Sequence, residues 1–224
     1  SDITSSIPIT VIPFAVERNV FTRNSDANTF TFLTVFDYHS LIERKNVIQI
    51  PIVIEKALET MNNMPNVKLI LKCINSKPED INKLESYMRN FKHYSFTIID
   101  TPLPADKFME LKSSVDCFIS LHRSEGYGLN ILESILEGIP VIATLYGGNM
   151  EYMNLIPKQI QSKLGVKYTL ETIKTTLGPY ARGNVWAEPN QTSAIEAVEY
   201  ALNNKNESML MDGSKKILDC SFAS

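Results

Sequence analysis

Residues 115–144 read VDCFISLHRSEGYGLNILESILEGIPVIAT, and this stretch decides the fold. Val115 to Leu121 is an apolar run of strand length, rich in β-branched and aromatic side chains. A polar turn holding Gly126 and Gly128 follows. Leu129 to Leu136 then takes helical apolar spacing and is stopped by Gly138 and Pro140. Val141 to Thr144 is a second apolar run. A strand, a helix and a strand joined by short connections form a right-handed unit whose two strands lie parallel.

The same alternation extends toward the N-terminus. TFTFLTVF at Thr29 to Phe36 is almost wholly apolar and suits a strand buried on both faces. Ile50, Ile54, Ala57, Leu58 and Met61 mark one face of a helix over Ile48 to Met61, with Pro51 early in it, where a missing N–H costs least. Val67 to Ile74 reads as a strand and Pro78 to Phe91 as a helix capped at Asn75 or Ser76. Ser95 to Ile99 reads as a strand, and Ala105 to Ser113 as a helix reached through Pro104. Toward the C-terminus the signals thin. Lys167 to Leu170 reads as a short strand and Val185 to Pro189 as a strand end or turn. Ser193 to Asn203 reads as a helix capped by Thr192. The fold class is α/β, a Rossmann-like doubly wound parallel sheet. Such sheets bind ligands beyond the carboxyl ends of their strands, which directs attention to loops 37–45, 72–76, 100–104, 121–128 and 145–149.

Composition narrows the partners. The chain has 224 residues, with 22 Lys and Arg against 25 Asp and Glu, a formal charge of −3. That balance argues against nucleic acid held by bulk electrostatics. No stretch reaches the roughly 20 apolar residues that span a bilayer, and Ser1 to Ser6 carries no signal-peptide pattern. Cys73, Cys117 and Cys220 form no paired framework and no CxxC, the usage of a cytoplasmic chain with reduced thiols. There is no HExxH and no Cys–His cluster, so no metal site is expected.

Chemistry concentrates around Glu125. Small residues at Gly126 and Gly128 let backbone N–H groups approach an oxyanion at a helix N-terminus. Seven residues separate Glu125 from Glu133. On one continuous helix the two carboxylates would lie roughly 80° apart around the axis and about 12 Å apart along it. That is too far for a hydrolase pair flanking one bond at about 5 Å, and it suits two contacts on one long ligand.

Ser124-Glu125-Gly126-Tyr127-Gly128-Leu129, then Leu132-Glu133-Ser134, Gly138-Ile139-Pro140-Val141-Ile142-Ala143-Thr144 and Gly147-Gly148 together match one pattern. This pattern resembles the C-terminal, donor-binding half of GT-B glycosyltransferases, in the large retaining, family 4-like group (glycosyl transferases group 1) that carries a Glu-x7-Glu motif. The similarity covers roughly residues 7–203. It implies residues 1–16 as an interdomain linker and first strand, 17–203 as the donor-binding domain, and 204–224 as a tail of helical character. It also implies that an N-terminal acceptor domain belongs to the same polypeptide.

The resemblance assigns roles. Glu125, Arg44 and Lys45 would be catalytic: Glu125 against the donor sugar, the two cations against the departing diphosphate. Glu133 would accept from the ribose hydroxyls. Ser124, Gly126, Tyr127, Gly128 and Leu129 would hold sugar and diphosphate oxygens. Lys72 would be a third cation, His122 a sugar or phosphate contact, and Thr101 part of the loop beside the base. The family's usual first-loop arginine is replaced here at or near Ser40. Trp186-Ala187-Glu188-Pro189 resembles the family's closing segment. No cofactor or metal is implied; the donor is a nucleotide-diphospho-sugar, and the acceptor is a polysaccharide, a lipid-linked sugar or a protein. The resemblance places the parent enzyme in the cytoplasm and allows its association with the cytoplasmic face of a membrane. The isolated domain would transfer little. Two other readings compete. A dinucleotide oxidoreductase needs GxGxxG after the first strand, whereas FDYHSLIERKN at 36–46 has no glycine. A degenerate module kept for nucleotide-sugar binding or assembly would share the fold without catalysis.

Overall fold

The computed structural model of the chain describes Val16 and residues 22–205. The linker read at 1–16, apart from Val16, and the tail from residue 206 onward, with Cys220, lie outside the described residues.

Six strands form one parallel sheet: β1 (Thr29–Asp37), β2 (Asn66–Ile74), β3 (Ser95–Ile99), β4 (Cys117–Ser120), β5 (Val141–Thr144) and β6 (Gly165–Val166), in the order β3-β2-β1-β4-β5-β6. Connections run outward in both directions from β1 and β4, so the chain reverses between them. Right-handed crossovers then set α2 (Gln49–Thr60) and α3 (Pro78–Met88) on one face, and α4 (Ala105–Ser113) and α5 (Leu129–Leu136) on the other. The doubly wound arrangement expected from the alternation is present, and Leu129–Leu136 and Val141–Thr144 keep the limits read from the sequence.

Both faces of the sheet are covered. Phe32, Leu33, Leu69, Leu71, Ile119 and Ile142 are fully buried, which explains why β1 and β2 read as nearly unbroken apolar runs. At the opposite edge from the strand tips, Asp116 is buried, accepts from the Thr31 N–H at 2.8 Å, and pairs with Arg23 and Lys205. Cys73 and Cys117 are buried and unpaired.

Several local readings change. Asn75 adopts a left-handed conformation (φ 57°) that ends β2, so α3 begins after Lys77, whose N–H is held by the Asp80 carboxylate at 3.0 Å. Helix α8 (Gln191–Asn203) is capped not by Thr192 but by Asn190, whose side chain accepts from the Ser193 N–H at 2.8 Å. The polar stretch after β1 contains a one-turn helix, α1 (Ile42–Lys45). Beyond β5 lie α6 (Met150–Met153) and α7 (Lys158–Leu164), too short to show a period in sequence. The strand expected at Lys167–Leu170 is β7 (Tyr168–Thr172), and it leaves the main sheet to pair antiparallel with β8 (Val185–Pro189). Among the described residues no helix is long and apolar enough to cross a membrane.

Phe32 lies on the central strand with no exposure. Phe32→Ala should cost about 3–5 kcal/mol, read as a lowered urea midpoint at unchanged slope.

Candidate active site

At the carboxyl end of β1, Asp37 accepts from the His39 N–H and from Asn75 Nδ2, each at 2.8 Å. The chain then turns through two non-glycine residues with positive φ, Leu41 (42°) and Asn46 (53°), which bracket α1. That tight segment delivers Arg44 and Lys45 to the loop after β4. Lys45 Nζ lies 2.5 Å from Glu125 Oε2. Arg44 Nη1 donates to the Ser124 carbonyl at 2.7 Å and stands 3.6 Å from Glu125 Oε1. The Arg123 N–H donates to the Arg44 carbonyl at 2.8 Å, so the two loops are joined by backbone as well as charge. Burial pushes the Glu125 carboxyl upward, but the Lys45 ammonium, His122 and Arg44 together outweigh it and hold the pKa below the ordinary value.

A third loop supports the second. Gly147 has φ 102°, and a Cβ there would meet the Glu125 carbonyl at 2.6 Å; a Cβ on Gly148 would stand 1.6 Å from the Gly126 carbonyl. The Gly148 N–H donates to the Glu125 carbonyl at 3.0 Å. The two glycines are therefore required by backbone-to-backbone approach. Gly128 ends the loop at φ 81° as the residue before α5, and the Tyr152 hydroxyl bonds its carbonyl at 2.8 Å and that of Tyr127 at 2.9 Å.

His122, expected to face the donor, is instead wholly buried beneath this loop. Its Nε2 donates to the Tyr146 carbonyl at 3.0 Å, which leaves Nδ1 to accept from the Ser120 hydroxyl at 3.0 Å. Burial lowers its pKa. It acts as a brace for the loop.

Two adjoining cavities open above the reversal point. One, about 250 Å³, is lined by Lys45, Ser120, Glu125, Tyr127, Gly128 and Leu129, among others. It shares Val35, Lys45 and Asn130 with a larger cleft of about 550 Å³ that runs past Ser40 and Lys72 to Pro102, Leu103 and Phe108. Of the residues singled out by sequence, Lys45, Glu125, Tyr127, Gly128, Leu129 and Lys72 therefore meet at one opening. Gly126 borders it with its N–H turned to Glu125 Oε1 at 3.2 Å. Others stand apart. Ser124 and Arg44 are occupied with each other. Thr101 is exposed, and its neighbours Pro102 and Leu103 line the cleft in its place. Glu133 lines neither cavity and pairs with Lys112 at 3.2 Å. The helical estimate of the Glu125–Glu133 spacing does not apply, because α5 starts at Leu129 and Glu125 lies in the loop before it.

Sequence reasoning missed Arg123 and Asn130. Arg123 forks onto Glu188 at 2.6 and 3.0 Å, lies 5.1 Å from the Trp186 ring, and donates to the Glu43 carbonyl at 2.9 Å. Its partner stands 65 positions away, so no local spacing could reveal it. The Trp-Ala-Glu-Pro stretch was the available signal. Elsewhere, Glu55, Glu59 and His93 each bring one ligand-type atom within 4.8 Å of the others. Glu55 there already accepts N–H bonds from Lys92 and His93, which ties down that turn.

A parallel sheet that reverses between β1 and β4, with a carboxylate–cation pair and a cleft at the reversal, defines a Rossmann-like domain with a candidate ligand site at its switch point. Residues 34–155, more than half of the chain, match the family model described as Glycosyl transferases group 1, and the chain belongs to that family. Solved structures agree on the fold. The catalytic domain of a cholesterol-α-glucosyltransferase from Helicobacter pylori is 15 % identical with a TM-score of 0.53, covering 85 % of this chain and 99 % of that one. The C-terminal domain of a glycosyl transferase group 1 family protein from Francisella tularensis is 13 % identical with a TM-score of 0.56, covering 87 % of each chain. A trehalose-6-phosphate synthase, studied for glycosyl transfer with retention, is 12 % identical with a TM-score of 0.58; the match covers 86 % of this chain and 41 % of that one. No curated protein matches the sequence.

Two outcomes follow from this geometry. Gly148→Ala should lose the folded loop, with a destabilisation above that of an ordinary surface change, seen as a lower melting temperature. Acid should act in two steps. The lowered His122 pKa means that stability falls as pH drops below the ordinary imidazole value of 6.5. The lowered Glu125 pKa means a second loss below the ordinary carboxyl value of 4.5. His122→Asn should flatten the first step and Glu125→Gln the second, in urea midpoints measured against pH.

Proposed function

We propose that this chain is the nucleotide-sugar donor-binding domain of a retaining, family 4-like glycosyltransferase, with acceptor binding supplied by a separate N-terminal domain. The observation that carries this reading is the Lys45–Glu125 pair at 2.5 Å, set at the mouth of the cleft beside the N-terminus of α5. A diphosphate entering there meets Lys45 and the first-turn amides of α5, and it competes with Glu125 for the ammonium. Once Lys45 turns to the phosphates, the Glu125 carboxylate is released to accept from hydroxyls of the sugar. Lys45 then stabilises the charge that grows on the departing diphosphate, the term that commonly dominates such catalysis. Arg44 acts by fixing the Ser124 carbonyl and hence Glu125. Glu133 reaches the ribose only by leaving Lys112. No metal is invoked, since protein cations stand where the diphosphate would lie. The match to a 12 % identical synthase known for transfer with retention supports the stereochemical part of the reading. We assign the active parent to the cytoplasm. The isolated domain should transfer little, because closure of a second domain is what excludes water from such sites.

Calorimetric titration of UDP, GDP, ADP and dTDP into the chain tests this. At least one should bind, and Lys45→Ala should weaken it about 10- to 100-fold, the worth of a charge-assisted hydrogen bond. Glu133→Ala should weaken it less. Absence of binding by every nucleotide would overturn this reading and favour a module kept for assembly alone.

A further inference from the structure

Lys72 is the cation that the cleft leaves least satisfied. It is 4 % exposed, on β2, and its ammonium donates to the Cys73 carbonyl at 2.8 Å. Among the described residues no carboxylate lies within ion-pair distance of it; Asp100 acts on it only from further away. An ammonium carries three donors and no acceptor, and a buried one with a single partner is costly. The remaining donors have the larger cleft beside them, since Lys72 lines it.

The sheet fixes what part of a ligand would reach that point. Lys72 stands in register with Val35 of β1 on one side and Ile99 of β3 on the other. Lys45 and Glu125 sit over β1 and β4, on the far side of Val35. Neighbouring strands are about 4.8 Å apart, so the Lys45 site and Lys72 are separated by roughly one to two strand spacings, up to about 10 Å. A nucleoside diphosphate with its phosphates at Lys45 spans that interval and carries its base over β2. Pro102, Leu103 and Phe108 line this end and offer apolar surface to a flat ring. Ser40 and Asp37 line the cleft nearer α1.

We infer that Lys72 reads the nucleobase of the donor, and that this base presents a carbonyl on its edge remote from the ribose, as uracil and guanine do. Adenine and cytosine place an amino group there, which a donor-only ammonium cannot bond. The inference rests on the donor-binding reading above and deepens it by naming the base class. A buried donor left facing another donor forfeits its hydrogen bond and keeps its desolvation cost, which corresponds to about tenfold or more in affinity.

The test is calorimetric titration of UDP, GDP, ADP and CDP into the wild-type chain and into Lys72→Met, with thermal melting to establish that the variant is folded. We expect UDP or GDP to bind at least about tenfold more tightly than ADP and CDP. In Lys72→Met that preference should shrink to about threefold or less, with UDP or GDP bound more weakly and ADP bound at least as tightly as by the wild-type chain. Equal binding of all four by the wild-type chain would overturn the inference and leave the donor site standing, and this arm holds even if the variant does not fold. A uniform weakening of all four in Lys72→Met would make Lys72 a phosphate ligand and also overturn it. Failure of all four to bind the wild-type chain would overturn the donor reading itself, and the inference with it.

Discussion

Two loops of this chain touch backbone to backbone, and the site depends on that contact. The Gly147–Gly148 turn after β5 lies so close to Glu125 and Gly126 that no side chain fits between them; a methyl on residue 148 would fall 1.6 Å from the Gly126 carbonyl. With the β4–α5 loop held from that side, and by α1 from the other, Glu125 has one place to stand. The burial of Glu125 then becomes affordable only because Lys45 is beside it. A hydrogen-bonded turn, a pair of glycines and an ion pair form one chain of dependence.

The fold follows from chain reversal between β1 and β4. Crossovers to either side carry α2 and α3 to one face and α4 and α5 to the other, so among the described residues these crossover helices leave the carboxyl ends of the two central strands open. The long apolar strands do the burying, and the short loops at their tips are left to carry polar groups. Charge at those tips is arranged in short-range pairs: Lys45 with Glu125 and Arg123 with Glu188. A ligand that binds here must exchange partners with these pairs, so its affinity is a difference between two sets of contacts.

The sequence displayed the sheet more openly than the site. TFTFLTVF and VKLILKCI announce buried parallel strands because nothing polar interrupts them, and Gly138 with Pro140 fixes the end of α5. The glycines and Glu125 were equally legible because they lie within one short motif. Other features arise from pairings across the chain. His122 looks like a loop histidine until Ser120 and the Tyr146 carbonyl close around it. Glu133 looks like a ligand contact until α4 brings Lys112 to it. Lys167–Leu170 has strand composition, but nothing in it shows that the strand pairs with Val185–Pro189 while the main sheet ends at the two-residue β6.

The β7–β8 hairpin has a consequence of its own. Two strands alone are marginal in water, and every residue of β7 is exposed. Its anchorage comes largely from Arg123, through the Glu188 fork, the Trp186 ring and the bond from the Ala187 N–H to the Arg123 carbonyl at 2.9 Å. Arg123 also belongs to the loop that carries Glu125. The hairpin and that loop are thus tied through one side chain, and an opening that frees Arg123 should expose the amide protons of β8 and of residues 123–126 together.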